Sequence, residues 1–488
     1  MGKISDAIRS FSLSEAYPLI LFVLVYGMIV LDLLLAAFCL LLLFCCVVCL
    51  CCDDLVPLLL PALLCIALAF LCQPWLGSVG WIFWFILPCA GALLYRFFRD
   101  VRRVRLGVTF PGLVAVSLAL LLGGVGRLPA SDYFSAASLY HIFGLGPLLL
   151  FLYLLIRSNV DVPRAYHVGD RIAGAMYLCA VLLGFCILRA YLMNADLLAG
   201  DGELSDIVQK AIPWRNLVAN MMALLLPFVF YYARRQHLLH LLPACLLYLM
   251  MAVSGSRGAI VCGLFAMLLG VLYLVYHRRR AGLIVLSGLL AVAGLVFLSR
   301  GWIAQAIDEL LNFHYFGFNG EHFFETNVFN LFNESRYKLW VRSIEDFRNA
   351  PLFGQGLGYC GNADIFANGK LTISWYHSMI PQIIGSMGIV GILAYGYQLF
   401  IQTRLALRMR HTAYAGALVM AYVNLLVYSQ IDPGLFSPLP FGIMGVLFMT
   451  LLEVEAGEAG LLRRDTGFGR VFFRMFAHRS RAAAPGEK

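Results

Sequence analysis

Charge is what this sequence has least of. Asp, Glu, Lys and Arg make up 13% of its 488 residues, against roughly 25% in soluble globular proteins. A soluble chain of this length would divide into domains joined by polar linkers, and no low-complexity linker or internal repeat is evident. The polar residues instead form short clusters between apolar runs of roughly 17–22 residues, the length that crosses about 30 Å of hydrocarbon as a helix. With 61% hydrophobic residues and a mean hydropathy of +0.84, a soluble fold is excluded. Helices satisfy their own backbone hydrogen bonds in lipid, so the expected fold is an all-α polytopic membrane protein of about 12–14 transmembrane helices. The start, Met1–Ala16, is polar and lacks a small-residue cleavage site after a short apolar core, so no cleavable signal peptide is expected there.

Cysteine is plentiful but supplies no framework. Cys39, Cys45, Cys46, Cys49, Cys51, Cys52, Cys65, Cys72 and Cys89 lie in or beside the first apolar runs, where cysteine acts as a small hydrophobe. Cys360 is alone in the long polar segment that follows residue 299, so no disulfide is available there within the chain. No His or carboxylate pattern beyond Asp53 and Asp54 accompanies the 49–52 cluster, and no metal site is expected.

Apolar runs fall near 17–52 (two tight spans), 55–73, 76–95, 108–124, 139–156, 172–192, 215–232, 237–253, 259–276, 281–299, 378–402, 413–430 and 439–453. The net charge of +9 has a topological reading before a nucleic-acid one. Arg96–Arg105, Arg157–Arg171, Arg234–Arg235, Arg278–Arg280, Arg404–Arg410 and the tail after Arg463 all land on one side of that assignment, which marks it as cytoplasmic. The opposite side receives an acidic loop with Asp196, Asp201, Glu203 and Asp206, and the segment from Arg300 to Tyr376. The expected organisation is a transmembrane bundle over 1–299, a large extracytoplasmic loop with short helices over 300–376, further spans over 377–453, and a basic cytoplasmic tail over 454–488.

The loop is rich in aromatics, among them Trp302, Phe313, Tyr315, Phe316, Phe323 and Phe332, unlike disordered segments. These either pack it onto the bundle or meet sugar rings or lipid. Between Glu334 and Ala350, Trp340, Ile344 and Phe347 recur at helical spacing beside Arg336, Lys338, Arg342 and Arg348, which predicts an amphipathic helix near the membrane surface.

Three places on the outer side could carry chemistry: Arg215, which opens a span; the turn Ser254-Gly255-Ser256-Arg257-Gly258-Ala259; and His377, where the loop re-enters the membrane. An arginine at a span end also snorkels to headgroups. Together, at one depth and beside the only large loop, they outline a site. Arginine presents a planar fork of donors suited to phosphate, glycine lets a backbone approach closely, and histidine takes a proton from a hydroxyl near neutral pH. Arg189, about one turn inside its span, is a further candidate, as is Arg342 on the loop helix.

The motifs resemble the O-antigen ligase and polymerase superfamily. They are Ser254–Ala259, Ser335-Arg336 through Trp340, Pro351-Leu352-Phe353-Gly354-Gln355-Gly356-Leu357-Gly358, His377-Ser378, and Gly385-Ser386-Met387-Gly388-Ile389-Val390-Gly391. The resemblance covers roughly residues 210–400 and implies transfer of a glycan from an undecaprenyl-diphosphate carrier, with no cofactor and no metal. It implies that Arg215 and Arg257 hold the diphosphate, with Arg336 either joining them or standing as a surface charge, and that His377 deprotonates the acceptor hydroxyl. Ligases of the family often carry a His-[Asn/Ser/Gln] pair, nine residues, then a Gly with Gly, Thr or Tyr four further on. His377, Ser378 and Gly388 fit this, but Ile392 does not. The expected activity is polymerisation of lipid-linked repeat units in the bacterial inner membrane, for capsule, exopolysaccharide or O-antigen. The alternatives are a ligase of the same fold acting on lipid A-core, and a flippase for the same lipids. A flippase should bury paired charges or broken helices near mid-membrane, and Asp32 is the only carboxylate well inside an apolar run. The expected partners are the lipid-linked glycan, membrane lipid and, as a candidate, a chain-length regulator; no nucleic acid is expected.

Overall fold

The computed structural model describes residues 2–14, 16–31, 33–62, 83–101, 104–128, 132–160, 162, 166–193, 215–254, 256–298, 334–359 and 376–458. The acidic loop around Asp201, the aromatic stretch 300–333, Asp32, Cys360 and the basic tail beyond residue 458 lie outside them. The described residues are helical and contain no strand. In chain order the helices are α1 (Gly2–Leu13), α2 (Ala16–Val30), α3 (Leu34–Cys51), α4 (Phe83–Asp100), α5 (Phe110–Leu122), α6 (Ala136–Leu145), α7 (Pro147–Arg157), α8 (Val168–Met193), α9 (Arg215–Arg235), α10 (Leu241–Val253), α11 (Arg257–His277), α12 (Arg279–Leu298), α13 (Glu334–Asn349), α14 (Met379–Met409), α15 (Ala413–Ile431) and α16 (Ile443–Glu458). Among the described residues, eight helical segments are long and apolar enough to cross a membrane, or nine if the bent α1–α2 pair is one span, and two shorter apolar helices accompany them. The all-α polytopic architecture expected from hydropathy is therefore present. The run 17–52 forms two helices, α2 and α3, as expected, and the run 139–156 is interrupted at Gly146-Pro147.

Helix α9 is the centre of the bundle: every residue from Val218 to Tyr231 is buried, against α8, α10, α11 and α15. Pro227 lies inside it and cannot donate the hydrogen bond that the Ala223 carbonyl would otherwise receive. That carbonyl is taken by the Asn424 side-chain amide of α15, at 2.8 Å. In lipid no water would supply the bond, so the buried Asn424 is explained by a proline on another helix.

The basic clusters meet at one end. Arg96 pairs with Asp100 and donates to the carbonyls of Cys52 and Asp53, Arg157 donates to the Arg105 carbonyl at 2.8 Å, and Arg235 pairs with Asp170. Glu453, with no exposed surface, accepts from the Thr109 backbone N–H (2.9 Å), the Thr109 hydroxyl (3.2 Å) and the Tyr153 hydroxyl (2.8 Å). Gly107 makes room for it, since a Cβ there would stand 2.0 Å from the carboxylate. Replacing Glu453 by alanine would strand these donors and the nearby Arg157. Buried hydrogen bonds to a charged group are worth about 1.5–3 kcal/mol each but do not add within one network, so a loss of about 3 kcal/mol is expected, read as a lower apparent Tm at fixed scan rate in detergent.

Candidate functional site

At the opposite end the segment Pro351–Gly358 is inserted into a broken helix. Gly388 adopts φ 59°, ψ −147° inside α14, which parts the carbonyls of Gly385 and Ser386 from the N–H groups of Ile389 and Val390 that would close the next turn. The inserted segment supplies both sets of partners. Ile389 and Val390 donate to the carbonyls of Pro351 (2.8 Å) and Leu352 (3.2 Å), while the N–H groups of Gln355 and Gly356 donate to the carbonyls of Gly385 (2.8 Å) and Ser386 (3.0 Å). Two helical bonds are thus exchanged for four with the insert, which is how irregular backbone is tolerated at membrane depth. The glycines of the motif make this approach possible. Gly354 has φ +65°, and a Cβ on it would stand 2.3 Å from the Met387 nitrogen.

His377 is the second residue after the 360–375 stretch and precedes α14 by one residue. Its φ is +49°, the left-handed region that side chains other than glycine seldom enter. Its Nδ1 lies 3.2 Å from Asp432 Oδ1, with the two side chains 32% and 39% exposed. Asp432 caps the end of α15. With Nδ1–H donated to the carboxylate, the neutral ring carries its acceptor lone pair on Nε2. Asp432 was not singled out in the sequence, being 55 residues from His377. The available signal was parity of spans, which puts the Asp432-Pro433-Gly434 turn on the same side as His377.

The start of α11 packs near the end of α15, and α9 lies against both helices. Ser256 caps α11, its side chain accepting from the Ala259 N–H at 3.4 Å. A Cβ on Gly258 would lie 3.4 Å from Ile431, the neighbour of Asp432, and 3.7 Å from the Asn220 amide of α9. The backbone of Arg257 therefore abuts the end of α15 that carries Asp432, and Arg215 begins α9 five residues before Asn220. A Cβ on Gly258 would make ordinary van der Waals contact with these neighbours, and Gly255 lies outside the described residues. The side chains of Arg257 and Arg336 lie outside the described residues.

The further candidates have partners of their own. Arg189 reaches the Val30 carbonyl at 3.5 Å, at the end of α2. Arg342 donates to the Tyr359 hydroxyl at 3.2 Å, and its Nε lies 3.4 Å from Asp346 Oδ1. An arginine not singled out, Arg127, lies at this end and donates to the Gln355 side chain of the insert at 3.2 Å.

Helix α13 forms where the aromatic period predicted it, but with a different inner face. Leu339, Ser343 and Asp346 are buried while Ile344 is 48% exposed. Burial pushes the Asp346 carboxyl above the usual carboxylate range, against the opposing pull of the Tyr376 hydroxyl and Arg342. Among the described residues no group of three His, Cys, Asp or Glu side chains is placed to hold a metal ion.

Fold and site together define a multi-pass membrane protein with a histidine–carboxylate pair at the end opposite its basic clusters. Residues 242–396 match the family model described as O-Antigen ligase, a stretch that contains Ser254–Ala259, the Pro351–Gly358 insert, His377 and Gly388. The resemblance to the O-antigen ligase and polymerase superfamily is borne out over that segment, which is less than half of the chain. Arg215, Arg189 and Asp432 lie outside the matched residues. No curated protein matches the sequence.

Proposed function

We propose that the protein is a polysaccharide polymerase of the inner membrane, transferring an undecaprenyl-diphosphate-linked glycan to a sugar hydroxyl of another lipid-linked repeat unit. The observation that carries this reading is the His377–Asp432 pair, 3.2 Å apart, set against the start of α11 where Arg257 stands. His377 Nε2 takes the proton of the acceptor hydroxyl, whose oxygen attacks the anomeric carbon. The bond from that carbon to the carrier phosphate breaks, and the diphosphate departs with the electron pair. Asp432 holds the imidazole in the required tautomer and offsets the charge it acquires. Arg215 and Arg257, with Arg336 from α13, stabilise the leaving diphosphate, the larger electrostatic contribution expected. The positive-inside rule supports a site on the extracytoplasmic face.

The ligase reading differs in its acceptor. Purified protein supplied only with lipid-linked repeats is expected to lengthen them, seen as a ladder of products. Repeats that stay single until lipid A-core is added would overturn the polymerase reading and leave the ligase in its place.

A further inference from the structure

The conformation of His377 is held from outside its own turn. Tyr376, with no exposed surface, is fixed at three points. Its N–H donates to the Gln382 side chain at 3.1 Å, and its hydroxyl donates to Asp346 Oδ2 at 2.8 Å. Its ring lies flush against Gly385, where a Cβ would come within 2.7 Å of ring carbons. Asp346 belongs to α13, thirty residues earlier, and is itself wholly buried. Its backbone carbonyl receives the Gln355 side-chain amide at 3.2 Å, and the same Gln355 is bound through its own N–H to Gly385 of α14. Tyr376 is thus clamped between a carboxylate on α13 and the first turns of α14, and the next residue is the left-handed His377.

A buried carboxylate is costly unless its hydrogen bonds are met, and apolar side chains could have packed α13 onto α14 without that cost. A carboxylate that receives the Tyr376 hydroxyl, with Tyr359 and Arg342 also beside it, gives direction as well as adhesion, because the bond fixes the ring and, through it, the backbone entering residue 377. Left-handed backbone in a residue other than glycine costs of order 1–3 kcal/mol and persists only where the surroundings over-determine it. We propose that Asp346 and Tyr376 are a positioning pair, which holds His377 in its left-handed conformation with Nδ1 on Asp432. Neither touches the reacting atoms. The inference rests on the reading of His377 as the base in glycan transfer.

The test uses the full chain in nanodiscs with Tyr376→Phe, Asp346→Asn and the double variant. Tyr376→Phe removes one oxygen and keeps the ring against Gly385, so folding is expected to survive it. Loss of one buried, charge-assisted hydrogen bond corresponds to about a tenfold rise or more in the released conformer. Where the strained conformer is only marginally favoured in the parent, each single variant is expected to lower kcat by up to about tenfold, with KM for the lipid-linked donor within about twofold, and the double variant to fall no further than either single one. In a His377→Ala background, Tyr376→Phe is expected to leave the residual rate unchanged. A second readout is independent of the reaction. In nitrogen-15 histidine spectra the low-field Nδ1 proton of His377, identified by its loss in His377→Ala, is expected to broaden or vanish in both single variants. Persistence of that signal in both overturns the positioning role, whatever the reaction proves to be. A loss of rate confined to KM, or one equally large without His377, also overturns it. Transfer indifferent to His377 while the signal responds to Tyr376→Phe would instead overturn the proposed function and leave the positioning intact.

Discussion

Replacing His377 by alanine is expected to lower glycan transfer by about 10²–10⁴-fold, the usual contribution of a positioned general base. Binding of the lipid-linked donor should survive, because the diphosphate is assigned to arginines on α9, α11 and α13. Asp432→Asn is the companion. It keeps the shape of the side chain but no longer holds an imidazole proton by charge at 3.2 Å, and it offers a donor that can turn the ring to the wrong tautomer. Its loss should approach that of His377→Ala, and the double variant should be no worse than the histidine variant alone, since the two act as a unit. Initial rates with purified protein in nanodiscs decide this. Transfer by His377→Ala within twofold of the parent, on the order of the scatter between preparations, would remove the mechanism without touching the topology.

The largest effect on stability is expected from Gly388→Ala. Gly388 combines φ 59° with ψ −147°, a region open essentially to glycine alone. A Cβ there would lie 2.4 Å from the Pro351 carbonyl oxygen and 2.8 Å from the Gly354 nitrogen. Both neighbours are backbone atoms of the inserted segment, so neither can turn aside as a side chain would. Relief requires the insert to withdraw, and four hydrogen bonds between Pro351–Gly356 and α14 depend on its place. The expected cost is about 4 kcal/mol or more, in the range where single substitutions are exceptional, read as loss of monodisperse protein or a collapse of the apparent Tm. Gly396→Ala is the control on the same helix. A Cβ at Gly396 would meet nothing within 4 Å, and exchanging a helical glycine for alanine there should be neutral or stabilising by up to about 1 kcal/mol.

Hydropathy made the helical bundle legible because lipid imposes one solution on an apolar run: α8, α9, α11 and α15 lie where the runs at 172–192, 215–232, 259–276 and 413–430 placed them. Such averaging is blind to a single residue, and so it passed over the break at Gly388. The glycines of the 351–358 motif were visible as a motif, but their purpose depends on a helix that begins at residue 379. Helix α13 was legible from its period while its inner face was not, because Asp346 is drawn inward by Tyr376 and an isolated segment cannot show a partner thirty residues away. The same holds for Asp432, whose relation to His377 arises only when α14 and α15 fold back on one another. What could be read without contacts was parity: span counting put His377, Arg215 and Arg257 on one side of the membrane.

The stretch 360–375 begins and finishes on the same support. Upstream, Gln355 and Gly356 are bonded to α14, and downstream Tyr376 is bonded to Gln382 of α14 and to Asp346. With both anchors on one helix, lengthening the chain between them costs only about 0.6 kcal/mol per doubling. If His377 is the base, as proposed, insertions between these two anchors are expected to change what lies beside it at little cost to its own support.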